Sequence, residues 1–557
     1  MVSPAVSACR SVAIAKGIVR IAYLTQTVYS AQFAPVLALQ TLRPYLKKNP
    51  PFVHNLECIN NIVCGRSASG GRLPSIRRGN SMSALKIRRI DLSASNATSQ
   101  LKKLRDQFRL ESEVVSPASK KLTQAVFGEV LTPAQVVERI CVGVRDQGVS
   151  ALLKYTEQFD KVKLKADALR VPQAELAAAH AAADPAMLDA IRRIRYNIDS
   201  FQNGLLHRDA ELRLSGSHEI HLRYRPLKRV GVYCPGGAAA YPSTLLMTVC
   251  PARAAGVEDI AVALPPKDTG AYSPVMLATC HEFGITEVYR MGGAQAIAAF
   301  AYGVEGIPAV DMVCGPGNQY VALAKKFVFG QCAIDCLAGP SEVVVVADDS
   351  AHPHYVALDL IAQAEHSPGV AVLVTWYEPL IEEVHAALEK RLLKAGRADL
   401  VRESLERYGA FVQCANKHEA IDLVNLLAPE HLHIQTRDID AFSEEIVNAG
   451  SIFLGPFTPV ALGDYAAGPS HVLPTGGTAR FASGLNANDF RRRTSVLRFT
   501  KNGMRDMSDD VVTLANIEGL VGHAASIEMR ANDNGPAARP KPKPEKAGAA
   551  TPAPLKK

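Results

Sequence analysis

The sequence predicts an α/β protein made of two doubly wound, Rossmann-like parallel-sheet domains, with a small N-terminal helical segment and a C-terminal arm. Three observations carry that expectation. Runs such as Glu342-Val-Val-Val-Val-Ala347 and Val370-Ala-Val-Leu-Val374 are apolar nearly throughout, the pattern of strands covered on both faces. Segments of about ten or more residues with helical periodicity separate such runs. The alternation occurs twice, from Arg229 to the helix after Asn318 and again after Pro340.

The elements follow in order. Leu131-Thr132-Pro133 opens a helix, with Thr132 as N-cap and Pro133 in the first helical position. Helical periodicity, broken by short loops, continues to about Asn203. Arg229-Val-Gly-Val-Tyr-Cys234 is the next strand, followed by a glycine turn and an apolar helix over Leu245–Ala255. Strand Asp259–Leu264 ends at Pro265-Pro266, and the series continues as helix Val275–Phe283, strand Glu287–Tyr289, helix Ala294–Ala301 and a helix after Asn318. The second series alternates strand Glu342–Ala347, helix Tyr355–Glu365, strand Val370–Val374 and helix Leu380–Leu393. It ends with strand Ala410–Val412, helix Ala420–Leu427 and strand Leu432–Gln435. After about Phe490 the chain changes to shorter, polar, helix-forming segments, too small a core to stand alone.

Composition narrows the function classes. The 557 residues are 48% hydrophobic and 21% charged, which is globular, and no run reaches the length of a membrane span. The net charge of +8 lies largely in the two ends, where Glu57 is the only acid before Met82. Without a basic stripe interleaved with aromatics, and with a single Trp, nucleic acid and membrane are poor partners. Residues 1–81 read as an extension, disordered or untranslated, with translation starting at Met82, or else as a transit peptide; residues 533–557 read as a disordered tail. Eleven cysteines without a CxxC pair point to packed free thiols in a reducing compartment, the cytoplasm or, with a transit peptide, an organelle.

Four separated segments present metal ligands or proton-transfer groups: Gln363-Ala-Glu365-His366, Pro429-Glu430-His431, Gly463-Asp464-Tyr465 and Glu518-Gly-Leu-Val-Gly-His523. Gln363 and His366, three apart in a helical stretch, project from one face. With Asp464 and His523 they make two imidazoles and two oxygens, a set that suits zinc. Glu430 and His431 remain for acid/base work. Taken singly, each has a plainer reading: Gln363 as a surface amide, His366 as a structural histidine, Asp464 as the maker of its own loop turn. His433 reads as structural, Glu365 as turned to another helix face, and His471 as a lesser candidate. The loops Pro235-Gly236-Gly237 and Gly315-Pro316-Gly317 follow apolar runs and precede helices, where backbone N–H groups can meet a phosphate or simply turn the chain.

These four segments, with Tyr233-Cys-Pro-Gly-Gly237, Gly292-Gly-Ala-Gln295, Cys314-Gly-Pro-Gly-Asn318 and Ala338-Gly-Pro-Ser341, resemble the histidinol dehydrogenase family from about Met82 to about Asn532. The resemblance implies oxidation of L-histidinol to L-histidine through an aldehyde-level intermediate, with two NAD reduced. It implies zinc on Gln363, His366, Asp464 and His523, one ion per subunit, with His431 and Glu430 catalytic. NAD would lie against Tyr233, Gln295 and Asn318. The substrate would lie against Ser341, Glu518, His431 and the metal ligands. It also implies a domain of residues 117–232 and 343–485 interrupted by a dinucleotide domain at 233–342, after a helical segment at 82–116. The arm at 486–532 would complete the sites of a homodimer across its interface. A paralogous zinc/NAD alcohol dehydrogenase, a non-redox metal enzyme and an inactive binding protein are the competing readings.

Overall fold

The computed structural model describes residues 84–108, 117–214, 218–237, 239–366, 369–394 and 396–532. The extension at 1–81 and the tail at 533–557 lie outside the described residues.

Strand β1 (Arg88–Asp91) comes first, then helices α1 (Ala97–Phe108) and α2 (Pro117–Phe127). The segment at 82–116 is therefore not simply helical. Its strand pairs in parallel with β11 (Ala410–Gln413), Arg88 opposite Ala410. Arg-Arg-Ile-Asp offers one apolar side chain, Ile90, which is buried, so no strand periodicity shows.

Helices α3 (Pro133–Gln147), α4 (Val149–Tyr155), α5 (Gln173–Ala181) and α6 (Pro185–Gly204) follow. Thr132 caps α3 as expected: its Oγ1 accepts from Gln135 N, and Gln135 Oε1 accepts from Thr132 N. These four helices correct the predicted domain division. They cover the sheet of the supposed second domain rather than joining residues 343–485. Val136, Ile140 and Leu152 share one core with Ala261, Tyr289 and Phe300, while Leu176, Ile191 and Ile198 share another with Val230, Leu246 and Val262. The apolar stripes of the helices are legible in sequence; which sheet they cover is a tertiary fact.

That smaller sheet is all parallel, in the order β6-β5-β4-β7-β8. Its chain order is β4 (Arg229–Tyr233), α7 (Pro242–Ala254), β5 (Asp259–Leu264), α8 (Pro274–Glu282), β6 (Glu287–Arg290), α9 (Gly293–Tyr302), β7 (Met312–Cys314), α10 (Gln319–Val328) and β8 (Ala333–Ile334). Since β4 is its middle strand, a boundary between 232 and 233 falls inside the sheet.

The larger sheet is also parallel, in the order β1-β11-β10-β9-β12-β13. Its second half runs β9 (Ser341–Ala347), α11 (Pro353–Ala364), β10 (Gly369–Thr375), α12 (Pro379–Leu392), α13 (Ala398–Tyr408), β11, α14 (Lys417–Leu427), β12 (His431–Gln435), α15 (Ile439–Ser443), β13 (Ser451–Leu454) and α16 (Val460–Tyr465). Along β9, Val343 and Val345 enter one apolar layer and Val344 and Val346 the opposite one. Both faces are covered, which explains the unbroken valine run.

A third sheet was not expected. Strands β2 (Ala210–Leu214), β3 (His218–Pro226) and β14 (Arg491–Phe499) pair antiparallel in the order β14-β3-β2. The predicted arm thus begins with a strand before helices α17 (Lys501–Asp506), α18 (Ser508–Ile517) and α19 (Val521–Asn532). Helices α18 and α19 pack against each other and leave Leu514, Ile517, Val521 and Met529 exposed.

Candidate active site

In a parallel sheet each following helix runs back against its strand, so the helix C-termini gather at the N-terminal edge of the strands. The predicted chemistry collects at that edge of the larger sheet, where the strand order reverses between β9 and β12. Ser341 and His431 are the first residues of β9 and β12, Gln363 lies in the last turn of α11, and Asp464 lies in the last turn of α16. Two details differ from expectation. His366 lies beyond the end of α11, an exposed residue past the Glu365 cap, so it does not share a helix face with Gln363. Asp464 is helical, not in a glycine loop.

Hydrogen bonds tie the group together. Gln363 Nε2 donates to Ser341 Oγ at 2.9 Å, and Ser341 Oγ donates to Glu430 Oε2 at 2.8 Å. The Glu342 backbone N–H donates to the same Glu430 oxygen at 2.8 Å. His431 Nδ1 lies 3.0 Å from the Glu342 carbonyl oxygen, which can only accept, so Nδ1 carries a proton. Nε2 is left facing Asp464 Oδ1 at 3.5 Å, buried and without a hydrogen-bond partner. A buried imidazole nitrogen in that condition is ready for a proton or a ligand.

Burial works against a charged His431, yet the carboxylates of Glu430 and Asp464 prevail and its pKa is pushed up to about 9. Burial raises Glu430. It also raises Asp464, but His431, His471 and His366 outweigh it, and the net shift is downward. His471 Nδ1 sits 2.9 Å from the Asp464 carbonyl oxygen, and burial holds its pKa below the ordinary histidine value. His433 is structural, as read: Nδ1 meets Asp359 at 3.0 Å and Nε2 the Gly455 carbonyl at 2.9 Å.

The sequence reading missed Glu342. Its side chain is fully buried, and Oε1 accepts from Glu430 N at 3.1 Å and Gly476 N at 3.3 Å. Burial first, then the neighbouring Glu430, raises its pKa well above the carboxylate range. An acid at the head of a valine run was the available signal.

The donor set suits a divalent cation in part. Gln363 keeps Oε1 outside its bond to Ser341, Asp464 and His366 interact electrostatically, and α11 brings the negative end of its dipole to this edge. Among the described residues, however, no group of three or more His, Cys, Asp or Glu side chains is arranged so that it could hold a metal ion. His523 and Glu518 belong to the C-terminal arm. They sit exposed at the α18–α19 junction, and neither side chain contacts the other site residues.

The three residues matched to the dinucleotide meet elsewhere. Tyr233, Gln295 and Asn318 line one cleft of about 260 Å³ with Pro235, Gly237 and Lys267. It opens at the C-terminal ends of the smaller sheet, beside the order reversal between β4 and β7, where open α/β sheets hold ligands. Tyr233 Oη accepts from Gly293 N at 3.3 Å, and Asn318 Oδ1 caps α10 by accepting from Tyr320 N and Val321 N. Asp160, also overlooked, closes one side: it accepts from Gln295 Nε2 at 3.1 Å and lies 3.7 Å from Lys267. It ends a π-helical turn, Thr156–Asp160, that follows α4 without a break and left no separate sequence signal.

The histidinol dehydrogenase family profile matches residues 129–531. A histidinol dehydrogenase from Rhodopirellula baltica is 52% identical over 440 residues, covering 79% of this chain and 96% of that protein. One from Geobacillus kaustophilus is 45% identical over 392 residues, covering 70% and 92%. The crystal structure of histidinol dehydrogenase from Elizabethkingia anophelis superimposes with a TM-score of 0.71 at 31% identity, covering 80% of this chain and 98% of that one. The profile spans well over half of the chain and takes in Ser341, Gln363, Glu430, His431 and Asp464 as well as Tyr233, Gln295 and Asn318: this chain is an oxidoreductase and belongs to the histidinol dehydrogenase family.

Proposed function

We propose that the enzyme oxidises L-histidinol to L-histidine in two steps, reducing two NAD, at a zinc site shared between the subunits of a homodimer. The observation that carries this reading is the state of His431: one ring nitrogen, beside Glu430, is pinned to a backbone carbonyl, and the other is buried, without a hydrogen-bond partner and 3.5 Å from Asp464. When bound, zinc would orient the substrate through its amine and imidazole nitrogens, and NAD would accept hydride.

The chain supplies the rest. His431 Nε2 takes the alcohol proton as hydride departs. To do so it must be neutral, and Asp464, on holding a cation, would no longer favour the imidazolium as a free carboxylate does. Glu430, held by Ser341 and the Glu342 amide, removes a proton from the water that hydrates the aldehyde. Ser341 and Gln363 fix the polar end of the site. The exposed Glu518 and His523, on an arm with an uncovered apolar face, support delivery of these two residues to a second subunit. Incubation with L-histidinol should yield two NADH per substrate and should stop on chelation. One NADH per substrate, or turnover that survives complete metal removal, would overturn the proposal.

A further inference from the structure

The most deeply buried ion pair among the described residues lies outside the acid/base site. Lys325 on α10 and Asp335 just after β8 are each 1% exposed at their side chains, with Lys325 Nζ 2.5 Å from Asp335 Oδ1. Both partners also hold one residue. Lys325 Nζ donates to the Gly315 carbonyl oxygen at 3.0 Å, and Asp335 Oδ2 accepts from Gly315 N at 2.7 Å. Gly315 thus has both backbone polar groups secured by the two ends of a salt bridge.

Its conformation requires such control. Gly315 has φ +113°, and a Cβ there would stand 2.0 Å from the Tyr233 carbonyl oxygen. The loop from Gly315 to Asn318 runs between β7 and α10, packed against the end of β4, and it delivers Asn318 and Tyr320 to the cleft. A buried ion pair is a poor means of stabilisation, since apolar residues of similar volume often do as well or better. Packing alone does not account for it here; the fixed geometry of one peptide does.

We propose that Lys325 and Asp335 are positioning residues for the dinucleotide: together they lock the Gly315 peptide and hold the 315–318 loop in its ligand-accepting form before the cofactor arrives. The inference rests on the reading of this cleft as the NAD site. Neither side chain touches the cofactor; the effect passes through the backbone.

The test compares wild type, Gln295→Ala and the double variant Lys325→Met/Asp335→Leu, which replaces the pair without leaving a lone buried charge. Thermal unfolding, the Kd of NAD by calorimetry and the KM values for NAD and L-histidinol are measured. The double variant should unfold close to wild type, with Kd and KM for NAD raised about ten-fold and the KM for L-histidinol unchanged. A normal NAD Kd in a stably folded double variant would show that the pair is structural only and would overturn the assignment. If Gln295→Ala binds NAD as wild type does, the cleft reading itself fails, and the proposal with it. Should the double variant not fold, hydrogen exchange of the wild-type enzyme decides. Amides of residues 314–320 should be protected without NAD and gain little on adding it, whereas fast exchange in the free enzyme would overturn the proposal.

Discussion

His431 and Glu430 lie in a setting that their residue types alone do not specify. Adjacent glutamate and histidine announce proton transfer in the sequence, but the pinned tautomer and the burial of Nε2 come from Glu342, which is hidden at the start of a valine strand. His431→Asn should lower kcat for both oxidations by about 10²–10⁴-fold, the usual share of a general base. Glu430→Gln should depress the overall four-electron reaction more than it weakens substrate binding; steady-state rates with L-histidinol and with the aldehyde separate the two. Glu342 offers a sharper test. Its carboxyl group, whose pKa burial raises, serves as an acceptor for Glu430 N and Gly476 N. Glu342→Gln keeps an amide oxygen there and should cost less than about 1 kcal/mol in chemical denaturation. Glu342→Leu strands a buried N–H and should cost about 1–3 kcal/mol. Equal costs would show that the acceptor is unimportant.

At the scale of elements, legibility followed burial. Strands covered on both faces, such as β9 and β10, stand out as valine runs, and helices with one apolar stripe stand out by period. The Arg-rich strands β3 and β14 do not: neither His-Glu-Ile-His-Leu-Arg-Tyr-Arg-Pro nor Arg-Arg-Arg-Thr-Ser-Val-Leu-Arg-Phe has a buried position. The pairing of helices with sheets is equally invisible from period alone, and α3 to α6 share their cores with the smaller sheet. One polar junction shows how those helices are held. Glu282 of α8 meets His180 of α5 at 2.7 Å and Arg192 of α6 at 2.9 Å. Chiefly through the Arg192 hydrogen bonds, its pKa falls from 4.5 to about 2. A depressed carboxylate stabilises the fold above its unfolded pKa and loses that contribution as pH falls through 4.5 towards 2. Glu282→Gln should therefore destabilise by at most about 1 kcal/mol at pH 7, with Arg192 half exposed to solvent. The gap from wild type should close near pH 2; a gap that stays constant across denaturant titrations in this range would refute the linkage.

For the whole molecule, the proposed zinc site needs His523, which stands exposed on the arm. Mixing inactive His366→Asn and His523→Asn subunits should restore up to roughly a quarter of wild-type activity, because a heterodimer of complementary mutants holds one intact site if His523 acts in trans. Heterodimers that form yet stay inactive would place the arm in its own chain's site. The candidate site segments are legible in their local spacing and in their resemblance to the family; which subunit His523 serves is for the mixing experiment, since no local pattern records which copy a helix visits. The edge strand β1 bears on how the molecule is made. Its partner β11 lies about 320 residues downstream, Arg88 opposite Ala410, so a ribosome at about 5–20 residues per second emits the partner roughly 15–65 s after β1. Once Ile334 has been made, every strand of the smaller sheet exists, while of the larger sheet only β1 does. The smaller sheet is the early product of synthesis, and the acid/base site, spread from Ser341 to Asp464, is a late one.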